Sequence, residues 1–321
     1  MMITETRVRE LAGRVGFDLC GIAAPDSIPE ADHRYREWLR SNYNADMAWM
    51  EKHADRRAHA HRLAPHLNSV IIVGLNYYQP NTDPVPHGHG RISRYARGRD
   101  YHKVIHKMTG ELILRIQRDI DKDATIRERP VFKHWVDYGP MLERAYAVKA
   151  GLGFIGKNTN LITRRYGSWV FLGEIVTSLA LGAAEIDPGG CGNCRECIDA
   201  CPTGAIGEEG MLDSRKCLSY LTIEHRGRIS EEQARRMGKQ VFGCDICQEV
   251  CPLNKRRQNP ANHPLLQYEH GVGEFIDCQA VLGFQTERDF LALAAGTPLT
   301  RAKLDGLKRN ARIVLENTSG A

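Results

Sequence analysis

The chain has 321 residues, 42% hydrophobic and 26% charged, with a net charge of +5. That composition excludes a disordered chain, and the length exceeds what a small electron carrier needs. The charged start, MMITETRVRE, does not read as a signal peptide, and the most apolar stretch, 170–184, contains Glu174 and is too short to span a bilayer.

Residues 4–15 read as a helix, capped by Thr4 and stopped by Gly16. Residues 69–77, SVIIVGLNY, read as a buried strand, followed by the Pro-rich connection QPNTDPVPHGHG. Its His87 and His89, like His53, His59, His61 and His66, read as loop histidines without a role. Residues 102–120 predict a helix with Val104, Ile105, Met108, Leu112 and Ile116 on one face. Residues 130–136 predict a strand, 142–150 a helix closed by Gly151, and 168–177 another apolar strand. The alternation makes the first domain α/β or α+β. The stretch AAEIDPGG (184–190) reads as a linker, and 288–295 and 300–317 as helices. The expected organisation is an N-terminal α/β (α+β) cofactor-binding domain over 1–184, a bacterial-ferredoxin-like module over 185–262 and a short helical tail over 263–321.

The module rests on the cysteines. Cys191, Cys194, Cys197 and Cys201 stand as C-x2-C-x2-C-x3-C before Pro202, and Cys217 is separated by 26 residues from Cys244, Cys247 and Cys251 before Pro252. In such runs three thiolates of a tight loop hold one four-iron cluster, and the cysteine before proline reaches the other. Cys191, Cys194, Cys197 and Cys251 are thus expected to hold one 4Fe–4S cluster, and Cys201, Cys217, Cys244 and Cys247 the second. Zinc normally takes paired C-x2-C or mixed Cys/His sets, and disulfides would imply export. Eight thiolates need a reducing compartment, so a cytoplasmic protein without membrane association is expected. Cys20 and Cys278 read as small buried hydrophobes without a role. Two clusters fused to a sizeable domain imply an electron relay into a further acceptor.

Three basic patches bear on that acceptor: Arg91, Arg94, Arg97, Arg99, Lys103 and Lys107 with interleaved aromatics; Lys255 to Arg257; and Arg301, Lys303, Lys308, Arg309 and Arg312 in the tail. Cations with aromatics suit a nucleic acid, although any one patch also fits a solvated helix face. Gly151, Gly153 and Gly156 spell G-x-G-x-x-G and run on to Lys157, but they follow a helix, and Asn158 stands where a phosphate loop needs Ser or Thr. The segment reads as a glycine loop where backbone approaches something large, with Lys157 and Asn158 as ligand-contact candidates. Asp137, at a strand end beside a turn, is either a helix-start cap or a proton donor whose pKa is raised by Trp135, Val136 and Tyr138.

Three segments carry a family resemblance. RYARGRDYHK (94–103) is similar to a Y-A-x-G-x-D-Y-H signature. VDYGPMLERAYAVKAGLGFIGKNT (136–159) resembles a V-D-x-x-P-x-x-E-R block running into A-G-L-G-x-x-G-K-N, and CDICQEVCPLNK (244–255) is close to C-D-x-C-Q-x-V-C-P-W-N, with Leu253 in place of Trp. Together they resemble epoxyqueuosine reductase.

The resemblance implies base-off cobalamin between the first domain and the cluster module. It implies a tRNA substrate carrying epoxyqueuosine, whose epoxide oxygen leaves as water at the cost of two electrons and two protons. Asp137 is then the proton donor. Arg57, Arg97, Asp100, Tyr101 and His102 fall near the corrin, Asp245 and Ile246 set the second cluster against it, and Ser219 is a further corrin contact. Asp100-Tyr101-His102 begins the lower-ligand signature D-x-H-x-x-G, but Ile105 stands where its glycine belongs, so no histidine ligand to cobalt is expected. Longer relatives add a helical-repeat domain after the point where this chain ends. A monomer served by an external flavodoxin- or ferredoxin-type donor is expected. The rivals are a reductive-dehalogenase-like corrinoid reductase of a small molecule and a plain ferredoxin-type carrier.

Overall fold

The computed structural model describes residues 3–122, 128–186, 188–207 and 210–319. Helix α1 (Glu5–Val15) starts where the Thr4 hydroxyl accepts from the Arg7 amide and stops at Gly16, whose φ of 106° only glycine adopts freely. Strand β1 (Leu19–Ala23), helix α2 (Pro29–Arg40), strands β2 (Ser69–Asn76) and β3 (His89–Ile92) and helix α3 (Tyr101–Ile120) follow. Then come β4 (Phe132–Trp135), α4 (Glu143–Lys149), the short hairpin β5 (Phe154–Ile155) and β6 (Leu161–Ile162), and β7 (Val170–Thr177).

The main sheet has the order β1-β2-β7-β4, and every pairing in it is antiparallel. Of the two architectures left open by the pattern, the first layer is therefore α+β. Strand β2 is buried at every position because both faces are covered. Ile71, Val73 and Leu75 join Val8 and Leu11 of α1 and Leu112 of α3 in one core, while Val70 and Ile72 join Tyr146 and Ala147 of α4 in another.

The second half contains α5 (Glu196–Asp199), α6 (Leu218–Ile223), α7 (Glu231–Met237), β8 (Gln240–Phe242), α8 (Ile246–Glu249) and α9 (Pro252–Lys255). The tail adds β9 (Phe275–Asp277), α10 (Cys278–Gly283), α11 (Glu287–Ala294) and α12 (Lys303–Ser319). Packing crosses both boundaries drawn from the sequence. Strand β3, in the expected first domain, pairs in parallel with β8 and antiparallel with β9. Ile92 shares a core with Ile223, Val241, Phe242, Phe290, Leu307 and Val314. The interruption between Cys217 and Cys244 thus carries α6, α7 and β8, the elements against which the tail packs. Leu307 has no exposed surface, so Leu307→Ala is expected to cost about 2–5 kcal/mol, read as a lower urea midpoint by far-UV circular dichroism. An unchanged midpoint would mean the tail adds nothing to the core.

Candidate active site

No disulfide forms among the described residues, which include all ten cysteines. The thiols act on one another mainly in two sets, with Cys197 of one set also acting on Cys247 of the other. Cys197 is raised in pKa first by burial, then by Cys191, Cys251 and Cys194. Cys244 is raised by burial and then by Cys217 and Cys201; Cys247 by burial and then by Cys244 and Cys217. Helix α5 carries Cys197 and α8 carries Cys247. Pro252 opens α9 and holds Cys251 extended, at φ −60° and ψ 120°, so that this residue leaves the helix of its own loop. No three His, Cys, Asp or Glu side chains among the described residues converge to single-ion distances, and a four-iron cube spaces its thiolates more widely than one tetrahedral ion does.

A cleft of about 380 Å³ lies between the sheet layer and the second quartet. Cys201, Cys217, Cys244 and Cys247 form one wall, and Tyr101, Asp137, Phe171 and Leu172 the other. The rings of Tyr101 and Phe171 stack at 4.1 Å with 3° between their planes, and Phe171 stacks on Tyr77 at 4.3 Å. Tyr101 also stacks on His102 at 4.0 Å, so these rings pack face to face on one another, and Asn158, Asn160, Ser168 and Ser219 also line the cleft.

Asp137 follows β4 at a φ of 62°, a left-handed conformation that asparagine and aspartate tolerate best. It caps no helix: α4 begins at Glu143 with Leu142 as its N-cap. Its Oδ2 accepts from the Tyr101 hydroxyl at 2.8 Å and from His102 Nε2 at 3.2 Å, while His102 Nδ1 bonds Asp100 Oδ1 at 2.7 Å. Asp100 also accepts from the His102 amide and so caps α3, which sets Tyr101 and His102 in the first helical turn. Burial alone would lower the His102 pKa, but its hydrogen bonds to Asp100 and Asp137 raise it to about 9. His102 is therefore an imidazolium at neutral pH. For Asp137 the direction is opposite to that expected from an apolar setting: burial raises it, yet His102 and Tyr101 outweigh burial and hold it below the ordinary carboxylate value. The carboxylate side chain is 54% exposed.

The structure brings Tyr101, Asp137, Asn158, Ser219 and Ile246 to the cleft, with His102 hydrogen-bonded to Asp137 at its edge. It places others behind it. Arg57 donates to the carbonyls of Gly139 and Trp49, pinning the turn after Asp137. Arg97 is fully buried, donates to Ile92 O and Asn81 Oδ1, and faces away from the cleft. Asp245 accepts from Ser93 and from Arg94 at 3.0 Å in a buried ion pair, so it braces the cluster loop and does not line the cleft. Lys157 donates to the carbonyls of Gly192 and Cys194, holding the first cysteine loop. The glycine loop turns out to fit its own hairpin: a Cβ on Gly153 would sit 2.1 Å from Ile162 O.

Sequence reasoning missed Glu143, Ser168, Phe171 and Gln248, all of which line the cleft. Gln248 and Asn254, inside the third resembling segment, carried a signal: Ser168 Oγ donates to Gln248 Oε1 and accepts from Asn254 Nδ2, both at 2.8 Å, which welds the cluster loop to the sheet layer. The basic patches thin out. Arg91, Arg94 and Arg97 are buried, Arg301 pairs with Glu224, and Arg309 donates to backbone carbonyls. Arg99, Lys103 and Lys107 remain exposed on the flank of α3.

Residues 190–254 match the family model of the 4Fe-4S double cluster binding domain. Fold and site therefore define an iron–sulfur oxidoreductase with two clusters and a cleft beside one cysteine quartet. Residues 57–130 match the model described as epoxyqueuosine reductase QueG, DUF1730. An epoxyqueuosine reductase from Synechocystis sp. is 41% identical over 89% of this chain and 96% of that protein, and one from Xanthomonas campestris is 37% identical over 98% and 87%. The chain belongs to the epoxyqueuosine reductase family. A crystal structure of an epoxyqueuosine reductase with an epoxyqueuosine-modified tRNA-Tyr stem loop superposes with a TM-score of 0.88 at 27% identity, covering 99% of this chain and 82% of that one. The Bacillus subtilis enzyme, described with an aspartate-bearing catalytic loop swung out of its active site, superposes at 0.85 with the same identity and coverage. Among the described residues no helix is long and apolar enough to cross a membrane.

Proposed function

We propose that this enzyme reduces epoxyqueuosine to queuosine in tRNA, with base-off cobalamin bound in the cleft. The observation that carries the reading is the cleft itself, which sets a cysteine quartet opposite the Tyr101–Asp137–His102 cluster. The lining fits the group: the apolar Val170, Phe171, Leu172 and Ile246 suit a macrocycle, and the amides and hydroxyls of Asn158, Asn160 and Ser219 suit its amide periphery. Cobalamin would supply one-electron cobalt chemistry beside the epoxide. Cys191, Cys194, Cys197 and Cys251 hold the cluster nearer an external flavodoxin- or ferredoxin-type donor, and Cys201, Cys217, Cys244 and Cys247 the one against the cleft. His102 holds a proton against Asp137, and Asp137 delivers it to the epoxide oxygen. Tyr101 fixes the carboxylate during transfer. Two electrons and two protons convert the epoxide to an alkene and water.

The test is an anaerobic assay of iron–sulfur-reconstituted protein on tRNA carrying epoxyqueuosine, with and without cobalamin, read by nucleoside mass spectrometry. Queuosine is expected only with cobalamin. No conversion with both clusters intact would overturn the reading in favour of a corrinoid reductase of a small molecule, and a preparation that binds no corrin would favour a plain carrier.

Lys103 and Lys107 are exposed, and neither forms an ion pair among the described residues. They share α3 with Tyr101 and His102, and we assign them to tRNA phosphates. Lys107→Ala is expected to reduce the slope of log affinity against log salt by about 1. An unchanged slope would remove α3 from the tRNA path.

A further inference from the structure

Behind Asp137 lie two carboxyls for which the reaction as described has no use. Glu174, on β7, is 1% exposed, and its Oε2 has no hydrogen-bond partner among the described residues. Glu143, the first residue of α4, also has a buried, unpartnered Oε2 and lines the cleft. Each carboxyl acts on the other's titration, and neither forms an ion pair among the described residues. Two neighbouring carboxyls whose inner oxygens are buried do not both ionise near neutral pH, so the pair keeps at least one proton between them.

Its surroundings tie it to Asp137. A Cβ on Gly139 would lie 2.7 Å from Glu174 Oε2, so the turn after Asp137 rests directly on the pair. The Asp137 backbone acts on the Glu143 carboxyl and partly offsets its upward shift. The charged and titratable groups around Glu143 are Asp137 from the turn after β4, Glu174 from β7, Arg144 from its own helix and Tyr101 from α3, while Arg57 faces Glu174.

We propose that Glu143, backed by Glu174, is the proton reserve of this site: once Asp137 has given the first proton, drawn from His102, to the leaving oxygen, the Glu143 carboxyl proton passes to Asp137 as the second. The inference rests on the epoxide-reducing function proposed above. The Glu143 O–H bond breaks as the Asp137 O–H bond forms, and the electrons come from the clusters as before. The pair then cycles between two protons and one, and the second is restored from solvent through the open cleft. Burial first, then the charge of Asp137, pushes Glu143 up to about 7, while Glu174 is raised well above the carboxylate range, chiefly by burial, and keeps the shared proton. A reserve of that kind is loaded below neutral pH and empties as pH rises through about 7.

Two measurements test it. Glu143→Gln keeps the shape but holds no transferable proton. Its kcat is expected to fall at least about 10-fold with KM unchanged. The limb of the kcat–pH profile near 7 should disappear, and Glu143→Asp should restore part of it. A Gln variant that keeps both the wild-type kcat and that limb would overturn the proposal. Infrared difference spectra of the wild-type holoenzyme across neutral pH should show a protonated-carboxyl carbonyl stretch that titrates. No titrating carboxyl would overturn the proposal whether or not the variant folds. The infrared measurement needs neither tRNA nor added substrate, so a failure of the proposed reaction and a failure of the reserve read out separately.

Discussion

Asp137→Asn is expected to lower kcat by about 10²–10⁴-fold while both clusters and the fold persist. Asparagine is the right replacement because the residue sits at a φ of 62°, where Asn is tolerated and most other residues are strained. Its Oδ1 still accepts from Tyr101, so a loss of rate reports proton transfer rather than collapse of the turn. The measurement is single-turnover conversion of modified tRNA beside the visible absorption of the clusters. Turnover within a few-fold of wild type would take Asp137 out of the chemistry. The pH dependence gives a second readout. The His102 pKa is raised from 6.5 to about 9, so its charge, and the folding stability that goes with it, is complete below about 6.5 and is lost as pH rises through about 9. Wild-type turnover should fall on the same alkaline limb. With Asn at 137 the neighbouring anion is gone, and the limb should move to lower pH.

Cys247→Ala is expected to abolish turnover and to halve the iron content, leaving one cluster. Cys247 lines the cleft from α8, beside Cys244 and Cys217, in the quartet proposed to feed the reaction. No spare thiol can replace it: Cys20 lies in β1 against the first core, and Cys278 is fully buried in the core shared by β3 and the tail. Both spare thiols are pushed up to about 12, chiefly by burial, so neither supplies a thiolate. Iron and sulfide analysis with electron paramagnetic resonance decides the matter. Two intact cluster signals in the variant would overturn the ligand assignment.

What the chain states locally came through intact. Cluster ligation uses thiolates a few residues apart, so C-x2-C-x2-C-x3-C-P is legible without a fold. The Thr4 cap, the Gly16 stop and the apolar stripe of α3 depend on neighbours within a turn or two, and the structure keeps all of them. Asp137 was visible as a candidate, but its environment was not, because Tyr101 and His102 approach it from a helix more than thirty residues earlier.

The remaining features depend on contacts distant in sequence. Arg97 and Asp245 sit in segments that mark the family, yet one is buried behind β3 and the other is locked to Arg94, and no periodicity separates a buried charge with a partner from one aimed at a ligand. The spacing between Cys217 and Cys244 carried no reason of its own in the sequence; the structure supplies one, since β8 pairs with β3 and the tail packs in the same core. Glu143 and Glu174 meet only because β7 passes beneath the start of α4. The residue types that ligate iron are therefore written in the chain, whereas the charge state of the site is set by burial and by partners that only the packed fold brings together.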